Sequence, residues 1–403
     1  MNRAIAKLRL GDLARFVSGG TPSKQVPRYW DGDTPWVSAK DLKSLHIVSS
    51  INTLSASGRD VASLVPQGTL LILVRGMTLF KNIPIGIAAR ELAINQDLKG
   101  LIANEAVSPE FLAYSLLAKE GELLQMVEAA GHGTGRLDTD ALKDVLVGVP
   151  SLPEQHEIAN AIATWDTAIQ KTEQLIAAKE RHYSHELSRL ISWGQHPPAN
   201  ICTSAEEVSA RNRGGKWRTV ALSDIVAVWK GQQLNKDAMV KDGAYYALNG
   251  GIKPSGHTTE WNCEADTITV SEGGNSCGFV SYNRTRFWCG GHCYALTNLA
   301  KDVDAHYLFH YLKGKQARVM ALRVGSGLPN IQKSDIEAFP VVLPDLVTQI
   351  AIARYLNALR EEIDLLGQSV SALKTQKRGL MQKLLTGQWR VPVSASQLEF
   401  GNL

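Results

Sequence analysis

Two apolar seams, one in each half of the chain, restrict its fold more than any other feature of the sequence. Along each seam, apolar residues recur in alternating steps of four and three, which keeps them facing a partner helix. The first seam begins near residue 158, and the second runs from about residue 352 to 384. We predict a coiled coil formed by Ile158, Ile162, Trp165, Ile169, Ile176 and Leu190 of the first helix with Ile352, Leu356, Leu359, Ile363, Val370 and Leu384 of the second.

Polar residues interrupt both seams. Thr172 and Lys179 occupy core positions of the first helix, where the second helix has Leu366 and Leu373, and Lys377 occupies a core position of the second. Polar residues at such positions cost stability but can fix which pairing forms. These residues are therefore expected to specify how the two helices meet.

Proline and glycine mark the predicted ends of both helices. A Leu-Pro step comes first in each case, at residues 152–153 and 343–344, and a glycine follows, Gly194 or Gly387. Proline near a helix start and glycine just after a helix end are common punctuation. The predicted helical segments are therefore 152–194 and 343–388.

The similarity between the two halves extends beyond the helices. The segment 9–19 resembles 221–231, and 108–117 resembles 304–313. A Gly-x-Gly turn follows in both halves, at 133–135 and 325–327, and the long helix closes each half. Landmarks in the same order at such a long period indicate an internal duplication of a domain plus a helix, rather than a solenoid.

The domain plan follows from this duplication. We predict a first variable domain at 1–151, its helix at 152–194, a polar linker at 195–215, a second variable domain at 216–342, its helix at 343–388 and a tail at 389–403. Within the domains, short apolar runs bounded by glycine and proline are typical of strands in a mixed or antiparallel sheet. The predicted strands are 69–74, 83–89, 244–248, 267–270, 278–282 and 293–296.

Composition excludes some classes of protein and leaves others open. The chain has 403 residues, 44% hydrophobic and 20% charged, which suits two or three ordinary globular domains. A formal net charge of +4 permits a nucleic-acid partner without requiring one. No apolar run is long enough for a signal peptide or a bilayer crossing, so we expect a cytoplasmic protein with no membrane partner.

The sequence lacks the common catalytic motifs. The sequence has no phosphate-binding loop, no His-Glu-x-x-His zinc helix, no nucleophile elbow and no Asn-Pro-Pro-Phe/Tyr motif of adenine methyltransferases. Four of the five cysteines and His292 fall within 263–293, but there is no Cys-x-x-Cys pair. We therefore predict a recognition protein with no metal, and two alternatives stay open: a scaffold with two protein-binding domains and a zinc-dependent enzyme.

Loops of both domains combine cations and amides with glycine. Cations suit phosphate, and the amides of Asn and Gln can bond an adenine edge while glycine lets the backbone approach. The candidates are Gly20, Thr21, Ser23, Lys24, Lys40, Arg75, Lys81, Lys99 and Arg136 in the first domain, and Lys230, Gln232, Gln233, Asn249, Lys253, Arg284, Arg286 and Arg323 in the second. The alternative is that they are ordinary solvated residues. The tryptophans Trp30, Trp36, Trp229 and Trp288 are predicted to belong to the domain cores.

Particular stretches of this chain resemble a known family over almost its whole length. SGGTPSKQVPRYWDGDTPWVSAKDL (18–42) and AINQDLKGL (93–101) are similar to parts of the target-recognition domains of specificity subunits in type I restriction-modification systems. SCGFVSYNRTRFWCGGHCYAL (276–296) resembles another subclass of such domains. Residues 152–169 and 352–387 are similar to the spacer helices of the family.

The resemblance implies an α+β fold. In it, two α/β target-recognition domains with small mixed sheets are separated by two long helices that form an antiparallel coiled coil with pseudo-twofold symmetry. It also implies that each domain reads one half of a bipartite, asymmetric sequence in double-stranded DNA. The expected partners are two modification subunits, which carry S-adenosylmethionine and methylate adenine, and optionally two restriction subunits, which use ATP and Mg. The specificity subunit itself is expected to be non-catalytic, to hold no cofactor and to serve host defence.

Overall fold

The computed structural model describes residues 5–191, 204, 217–325 and 327–391. The chain divides into two compact units, of which the first contains Met1–Thr172 and Ser369–Leu403 and the second contains Glu173–Gln368. The predicted linker at 195–215 lies outside the described residues except for Ser204, as does the tail after residue 391. Gly194, Cys202 and Ser326, at the centre of the second Gly-x-Gly turn, also lie outside them.

The first unit is built on short strands. They are β1 (Ala6–Arg9), β2 (Ala14–Ser18), β3 (Trp30–Val37), β4 (His46–Ile47), β5 (Asn52–Leu54), β6 (Leu64–Val65), β7 (Leu70–Leu73), β8 (Arg75–Gly76), β9 (Ile85–Ala88), β10 (Leu92–Ile94), β11 (Leu98–Ala103), β12 (Val127–Ala130), β13 (Thr134–Leu137) and β14 (Leu146–Val149). They form sheets with the orders β2-β11-β7-β9-β4, β5-β3-β10-β6, β12-β13-β8 and β1-β14. Strand β7 is wholly buried, as expected for a continuous apolar run at the centre of a sheet.

The second unit repeats this plan with fewer strands. They are β15 (Arg218–Ala221), β16 (Ala227–Lys230), β17 (Tyr245–Leu248), β18 (Gly256–Thr258), β19 (Thr267–Ser271), β20 (Val280–Asn283), β21 (Trp288–Cys289), β22 (Cys293–Thr297) and β23 (Pro340–Leu343). The sheet orders are β16-β22-β19-β20, β18-β17-β21 and β15-β23. Most pairs are antiparallel, while β3 with β10, β4 with β9 and β17 with β21 are parallel. The prediction of small mixed sheets is confirmed.

Helices cover and connect the sheets. They are α1 (Leu10–Leu13), α2 (Ala56–Arg59), α3 (Pro109–Ala118), α4 (Glu120–Gln125), α5 (Thr139–Lys143), α6 (Leu152–Leu190), α7 (Ala305–Gly314), α8 (Gln316–Met320), α9 (Lys333–Glu337) and α10 (Leu346–Leu385). The matched segments predicted at 108–117 and 304–313 are α3 and α7. Each has a side-chain cap: the Ser108 hydroxyl accepts from the Phe111 amide, and an Asp304 carboxylate oxygen accepts from the Tyr307 amide.

A buried glutamine near the start of each long helix repeats the same hydrogen bonds. Gln155 accepts the Ser108 amide at 2.8 Å and donates to the carbonyls of Ala106 and Pro150, both at 2.9 Å. In the second unit, Gln349 accepts from the Asp304 amide at 2.9 Å and donates to the carbonyls of residues 302 and 344, at 3.0 and 2.9 Å. Both side chains are almost wholly enclosed. This shared arrangement ties each helix to its own domain and supports the predicted duplication.

The same glutamines correct one detail of the sequence comparison. Leu152 and Pro153 form the first turn of α6, whereas Leu343 ends β23 and Pro344 precedes α10. The two Leu-Pro steps are therefore not equivalent; the equivalent prolines are Pro150 and Pro344, which both accept from a glutamine. Helix α10 begins at Leu346, directly after Asp345, which caps it by accepting from the backbone amide and the hydroxyl of Thr348.

The two long helices run antiparallel where they meet within each unit. In the first unit, Ile158 and Ile162 share an apolar core with Met381 and Leu384. In the second, Tyr183 lies under the Arg360 guanidinium, at 5.4 Å from the ring centroid. Of the predicted interface residues, Trp165, Ile176 and Leu359 are half-buried and the others are buried. The predicted antiparallel pairing of the two long helices is confirmed within each unit.

Ion pairs satisfy the lysines that interrupt the seams. Lys179 contacts Glu362 at 2.7 Å within the second unit. Lys377, whose side chain is only 17% exposed, contacts Asp166 at 2.5 Å within the first unit. Asp166 also accepts from the Tyr114 hydroxyl at 2.9 Å. Lys377 Nζ also lies 5.5 Å from the centroid of the Tyr114 ring. Both lysines keep their charge paired, so these ion pairs bind one helix to the other in a fixed register.

A buried histidine in the second unit makes stability depend on pH. The His310 ring is fully enclosed, with the Tyr183 hydroxyl 3.0 Å from Nδ1 and Asn357 Oδ1 2.9 Å from Nε2. Burial lowers the pKa of His310 from 6.5 to about 4. A neutral ring with its proton on Nε2 satisfies both neighbours, whereas a charged ring would leave the Tyr183 oxygen facing a second N–H.

We expect the unfolded state to take up this proton first as pH falls. The contribution of His310 to stability is then complete above pH 6.5 and is lost as pH falls towards 4. The free energy of unfolding lost in this way amounts to about 3 kcal/mol. Urea unfolding at a series of pH values measures the free energy of unfolding. Between pH 6.5 and 4 this free energy should fall less steeply with pH for His310→Gln than for the unaltered chain. Equal slopes would contradict a neutral, buried ring.

Candidate nucleic-acid interface

The loop after β2 is held in place by two indoles. Gly20 donates its amide to the Ile94 carbonyl at 2.8 Å, and its own carbonyl accepts from Trp36 Nε1 at 3.0 Å. Trp30 Nε1 donates to the Ser23 carbonyl at 3.3 Å, and the two indoles pack edge to face. Trp36 is buried and Trp30 is half-buried, so both act as supports. The loop that carries predicted residues Gly20, Thr21, Ser23 and Lys24 therefore has a fixed backbone with outward side chains.

A second loop lies directly beside it, at residues 95–97. The Thr21 hydroxyl donates to Gln96 Oε1, and Lys99 Nζ donates to the Ser18 hydroxyl at 2.6 Å. Asn95 is fixed by its bond to Asp97 at 3.1 Å. The structure thus brings Thr21 and Lys99 together with the exposed amide side chain of Gln96.

Two predicted arginines lie side by side on neighbouring strands. Arg75 of β8 and Arg136 of β13 are directly paired in an antiparallel register, so their side chains project from one face. Arg136 also lies 3.4 Å from Asp138. Like charges placed opposite each other are destabilising in a sheet unless an anion neutralises them. Lys81 follows the 3₁₀ turn Met77–Phe80, which begins directly after β8. Lys40 lies apart, in the turn after β3.

In the second unit, the loop after β16 repeats the support seen after β2. Gln232 donates its amide to the Cys289 carbonyl at 2.9 Å, and its own carbonyl accepts from Trp288 Nε1 at 2.9 Å. In the first unit the loop bonds β10 and the indole comes from the adjacent strand β3. In the second unit, the loop bonds β21, and the indole also comes from β21. The two units therefore present the same loop through differently placed indoles.

Amide side chains converge around this second loop. The side-chain oxygen of Asn249, Oδ1, accepts a hydrogen bond from the His292 backbone amide at 3.3 Å. A methyl group added at Gly291 would lie 3.1 Å from Gln233 Oε1. Glycine is required at 290 for the same reason, since an added Cβ would lie 2.5 Å from Asn249 Oδ1. Gln232, Gln233 and Asn249, three predicted candidates, are thus gathered at one edge of the sheet.

Glu272 is the residue of this region that the sequence analysis missed. Its carboxylate is 9% exposed and accepts from Lys230 Nζ at 2.6 Å and from the Tyr294 hydroxyl at 3.1 Å, both on Oε1. Its other oxygen has no hydrogen-bond partner among the described residues, and His292 Nδ1 lies 3.8 Å away. The sequence did contain a signal that could have identified Glu272, because in the stretch 271–274 this glutamate stands between the end of an apolar strand and two glycines. Glu272 fixes the position of Lys230.

The remaining candidates of the second unit are not gathered into one place. Arg286 pairs with Glu264 at 2.9 Å and covers the Trp261 ring at 4.4 Å. Arg284 lines a cavity of about 220 Å³ together with residues of α7 and α10. Lys253 lies in the exposed turn after Asn249, and Arg323 directly precedes a hairpin that begins at Val324.

The cysteine-rich segment shows no metal geometry. Cys263, Cys277, Cys289 and Cys293 are buried free thiols within the second unit. Within the described ranges, no three His, Cys, Asp or Glu side chains are placed to hold a metal ion. None of the helices in those ranges combines the length and apolar character that a bilayer crossing needs. Cys289 and Cys293 are small buried residues of β21 and β22, and Cys277 lies in a turn.

A family model matches both halves of the chain. Its description is "Type I restriction modification DNA specificity domain", and it matches residues 3–180 and 214–375. The two matches coincide with the duplication seen in the sequence and in the paired glutamines.

Named proteins show the same similarity. The type I restriction enzyme MjaVIII specificity subunit of Methanocaldococcus jannaschii is 33% identical over 95% of this chain and 92% of its own length. A putative type I specificity subunit of Mycoplasma pneumoniae is 30% identical over 43% of this chain, and the EcoR124I/EcoR124II specificity subunit of Escherichia coli is 26% identical over 46%. The matches to the latter two span about half of those relatives' lengths (47% each).

Solved structures share the fold. The S subunit of a type I restriction-modification system from M. genitalium has a TM-score of 0.63 and 17% identity, covering 96% of this chain and 97% of that one. A second structure, from work on complex assembly of a type I system, has a TM-score of 0.55 and 15% identity over 96% of this chain and 98% of that one. At such identities the likeness concerns the fold alone.

Proposed function

Since the chain belongs to the family of type I restriction-modification DNA specificity domains, we propose that it selects the DNA sequence on which such a complex acts. In this proposal each unit reads one half of a bipartite, asymmetric site in double-stranded DNA. The chain itself performs no catalysis.

The repeated loop support is the observation that carries this proposal. Gly20 and Gln232 occupy matching places, and the carbonyl of each accepts from an indole. The side chains presented around them differ, with Thr21, Gln96 and Lys99 in one unit and Gln232, Gln233 and Asn249 in the other. Two loops that are supported in the same way but present different hydrogen-bond donors and acceptors suit two different half-sites.

The chemistry of each set suits DNA. Paired guanidinium groups, as at Arg75 and Arg136, match phosphate oxygens or the acceptor edge of guanine. Amides held at fixed positions, as at Gln233 and Asn249, can bond both edge atoms of adenine. Lys230, held by Glu272, supplies a cation beside those amides. Backbone contacts of this kind position the duplex, and base contacts specify the sequence.

The long helices have a separate role in the proposal. They set the unread spacer between the half-sites and provide the docking surface for two modification subunits, with two restriction subunits joining in complete systems. S-adenosylmethionine, ATP and Mg belong to those partners. The antiparallel pairing fixed by Lys179 with Glu362 and Lys377 with Asp166 supports this role, because a coiled coil in one register keeps a constant length.

Exchange of residues 1–151 for those of a relative tests this function. The complex formed with the modification subunits is expected to methylate a new sequence in one half-site, while the other half-site and the spacer length stay the same. Genome-wide mapping of methylated adenines in cells that carry the exchanged chain measures all three. A change in both half-sites would refute independent reading, and DNA affinity insensitive to salt would favour a protein-binding scaffold.

A further inference from the structure

The two most exposed large apolar side chains among the described residues lie one in each unit. Leu328 is 87% exposed in the second unit, and Met77 is 72% exposed in the first. Isolated exposed leucines and methionines are common on protein surfaces, so exposure alone carries no conclusion. What sets these two apart is the hydrogen-bonded or packed backbone under them and the cations near them in the chain.

Met77 begins a firmly anchored turn. It is the first residue of the 3₁₀ turn Met77–Phe80, in which Leu79 is fully buried. That turn packs on β13, and a methyl group added at Gly135 would lie 3.0 Å from Leu79 Cβ. The second glycine of the first Gly-x-Gly motif is thus required for the turn to sit where it does. Met77 therefore projects from a fixed base.

Leu328 lies at the tip of a short hairpin. Val324 and Asn330 exchange two backbone hydrogen bonds, at 2.8 and 3.0 Å. The Pro329 carbonyl accepts from the Gly274 amide at 3.0 Å, which fixes the hairpin against the segment that contains Glu272. Leu328 and Met77 are thus both carried by backbone that is hydrogen-bonded to or packed on the rest of its unit, by different routes in the two units.

Cationic residues lie close to both side chains along the chain or across the sheet. Arg75 and Arg136 are paired on the strands next to Met77, and Lys81 follows its turn. Arg323 immediately precedes the Leu328 hairpin, and Lys230 is bonded to the adjoining Glu272. An apolar tip next to cations is complementary to a duplex, whose phosphates are anionic and whose stacked bases are apolar. Leucine and methionine are among the side chains that wedge between base steps.

We propose that Met77 and Leu328 are wedges that insert between base pairs, one in each half-site, when the complex binds DNA. This inference rests on the proposed function. Insertion would unstack one step per half-site, locally loosening the duplex beside the adenine that the modification subunits must reach. It would also add a deformation cost that depends on the sequence of the step, and hence specificity beyond direct base contacts.

The test uses the chain assembled with its modification subunits and a duplex of the mapped site. 2-Aminopurine replaces, one at a time, each adenine other than the methylated ones. We expect binding to raise its fluorescence at one step in each half-site. Met77→Ser should abolish the rise only in the half-site that responds to exchange of residues 1–151, and Leu328→Ser only in the other. Each serine variant should bind the duplex about 10-fold more weakly, from the lost apolar burial.

Matched variants separate a wedge from other roles. Met77→Leu and Leu328→Met keep an apolar tip and should keep the fluorescence rise. Leu146→Ala, which removes a leucine 47% exposed on β14, should leave it unchanged. A rise that persists in both serine variants would overturn the wedge while leaving DNA recognition intact. Failure of those variants to assemble with the modification subunits would show protein contacts instead, and would also overturn it. If the unaltered complex bound no specific duplex, the proposed function itself would fail.

Discussion

Substitution of leucine for Gln155 is expected to lower the free energy of unfolding by about 3–5 kcal/mol. The amide of Gln155 satisfies three buried backbone groups, on Ser108, Ala106 and Pro150. Leucine has nearly the same volume but leaves all three without partners, and each buried group without a hydrogen bond costs about 1–3 kcal/mol. Urea denaturation followed by tryptophan fluorescence measures the change.

The same helix offers a control for this substitution. Gln170→Leu alters an exposed glutamine of α6 and should change stability by less than about 0.5 kcal/mol. Gln349→Leu should reproduce the large loss, because its three bonds in the second unit match those of Gln155. A loss below about 1 kcal/mol for Gln155→Leu would mean that water or backbone movement replaces the missing partners.

Substitution of alanine for Gly19 is expected to weaken binding of the specific duplex about 10- to 100-fold while the chain stays folded. An added Cβ would overlap the carbonyl oxygen of Asn95 and lie 2.5 Å from its carbon. Both atoms belong to backbone, so the loop 18–24 must move away from the loop 95–97. Overpacking of this kind costs about 1–3 kcal/mol, here taken from the loop that reads DNA. Gel-shift titration with the assembled complex measures the affinity.

Substitutions at two further glycines test this prediction, one as a control and one as its counterpart in the second unit. Gly121→Ala, on α4, meets no other atom within 4 Å and should leave DNA affinity unchanged. Gly231→Ala, at the matching position of the second unit, would overlap the Gly290 carbonyl and should cause a comparable loss. Unchanged affinity for both Gly19→Ala and Gly231→Ala would remove these loops from the DNA interface.

The framework of this protein could be predicted from sequence because it depends on periodicity. The seam through Ile158 and Ile352 and the duplication are both local or repeated patterns. Burial then follows from the pattern, since an apolar stripe has to be covered. The Leu-Pro comparison was wrong because proline suits both the first turn of a helix and the segment before it.

The candidate site was less accessible to sequence reasoning. Glu272 gains its significance from Lys230 and Tyr294, which lie far from it along the chain and meet it only through the sheet. The wedge candidates were not found either, since neither Met77 nor Leu328 belongs to a polar loop pattern. Exposure of an apolar side chain depends on what the fold leaves uncovered, and no local pattern encodes that.

The differently placed indoles that hold the recognition loops have a consequence for engineering new specificities. Consider a chimaera whose junction lies between the loop after β2 or β16 and the strand that carries the tryptophan for that loop. The Gly20 or Gln232 carbonyl would then meet an indole in the wrong place, and would have either two competing donors or none. Loop and indole strand are therefore one transferable cassette, and a productive graft has to carry residues 18–37 together in one half, or 230–289 together in the other.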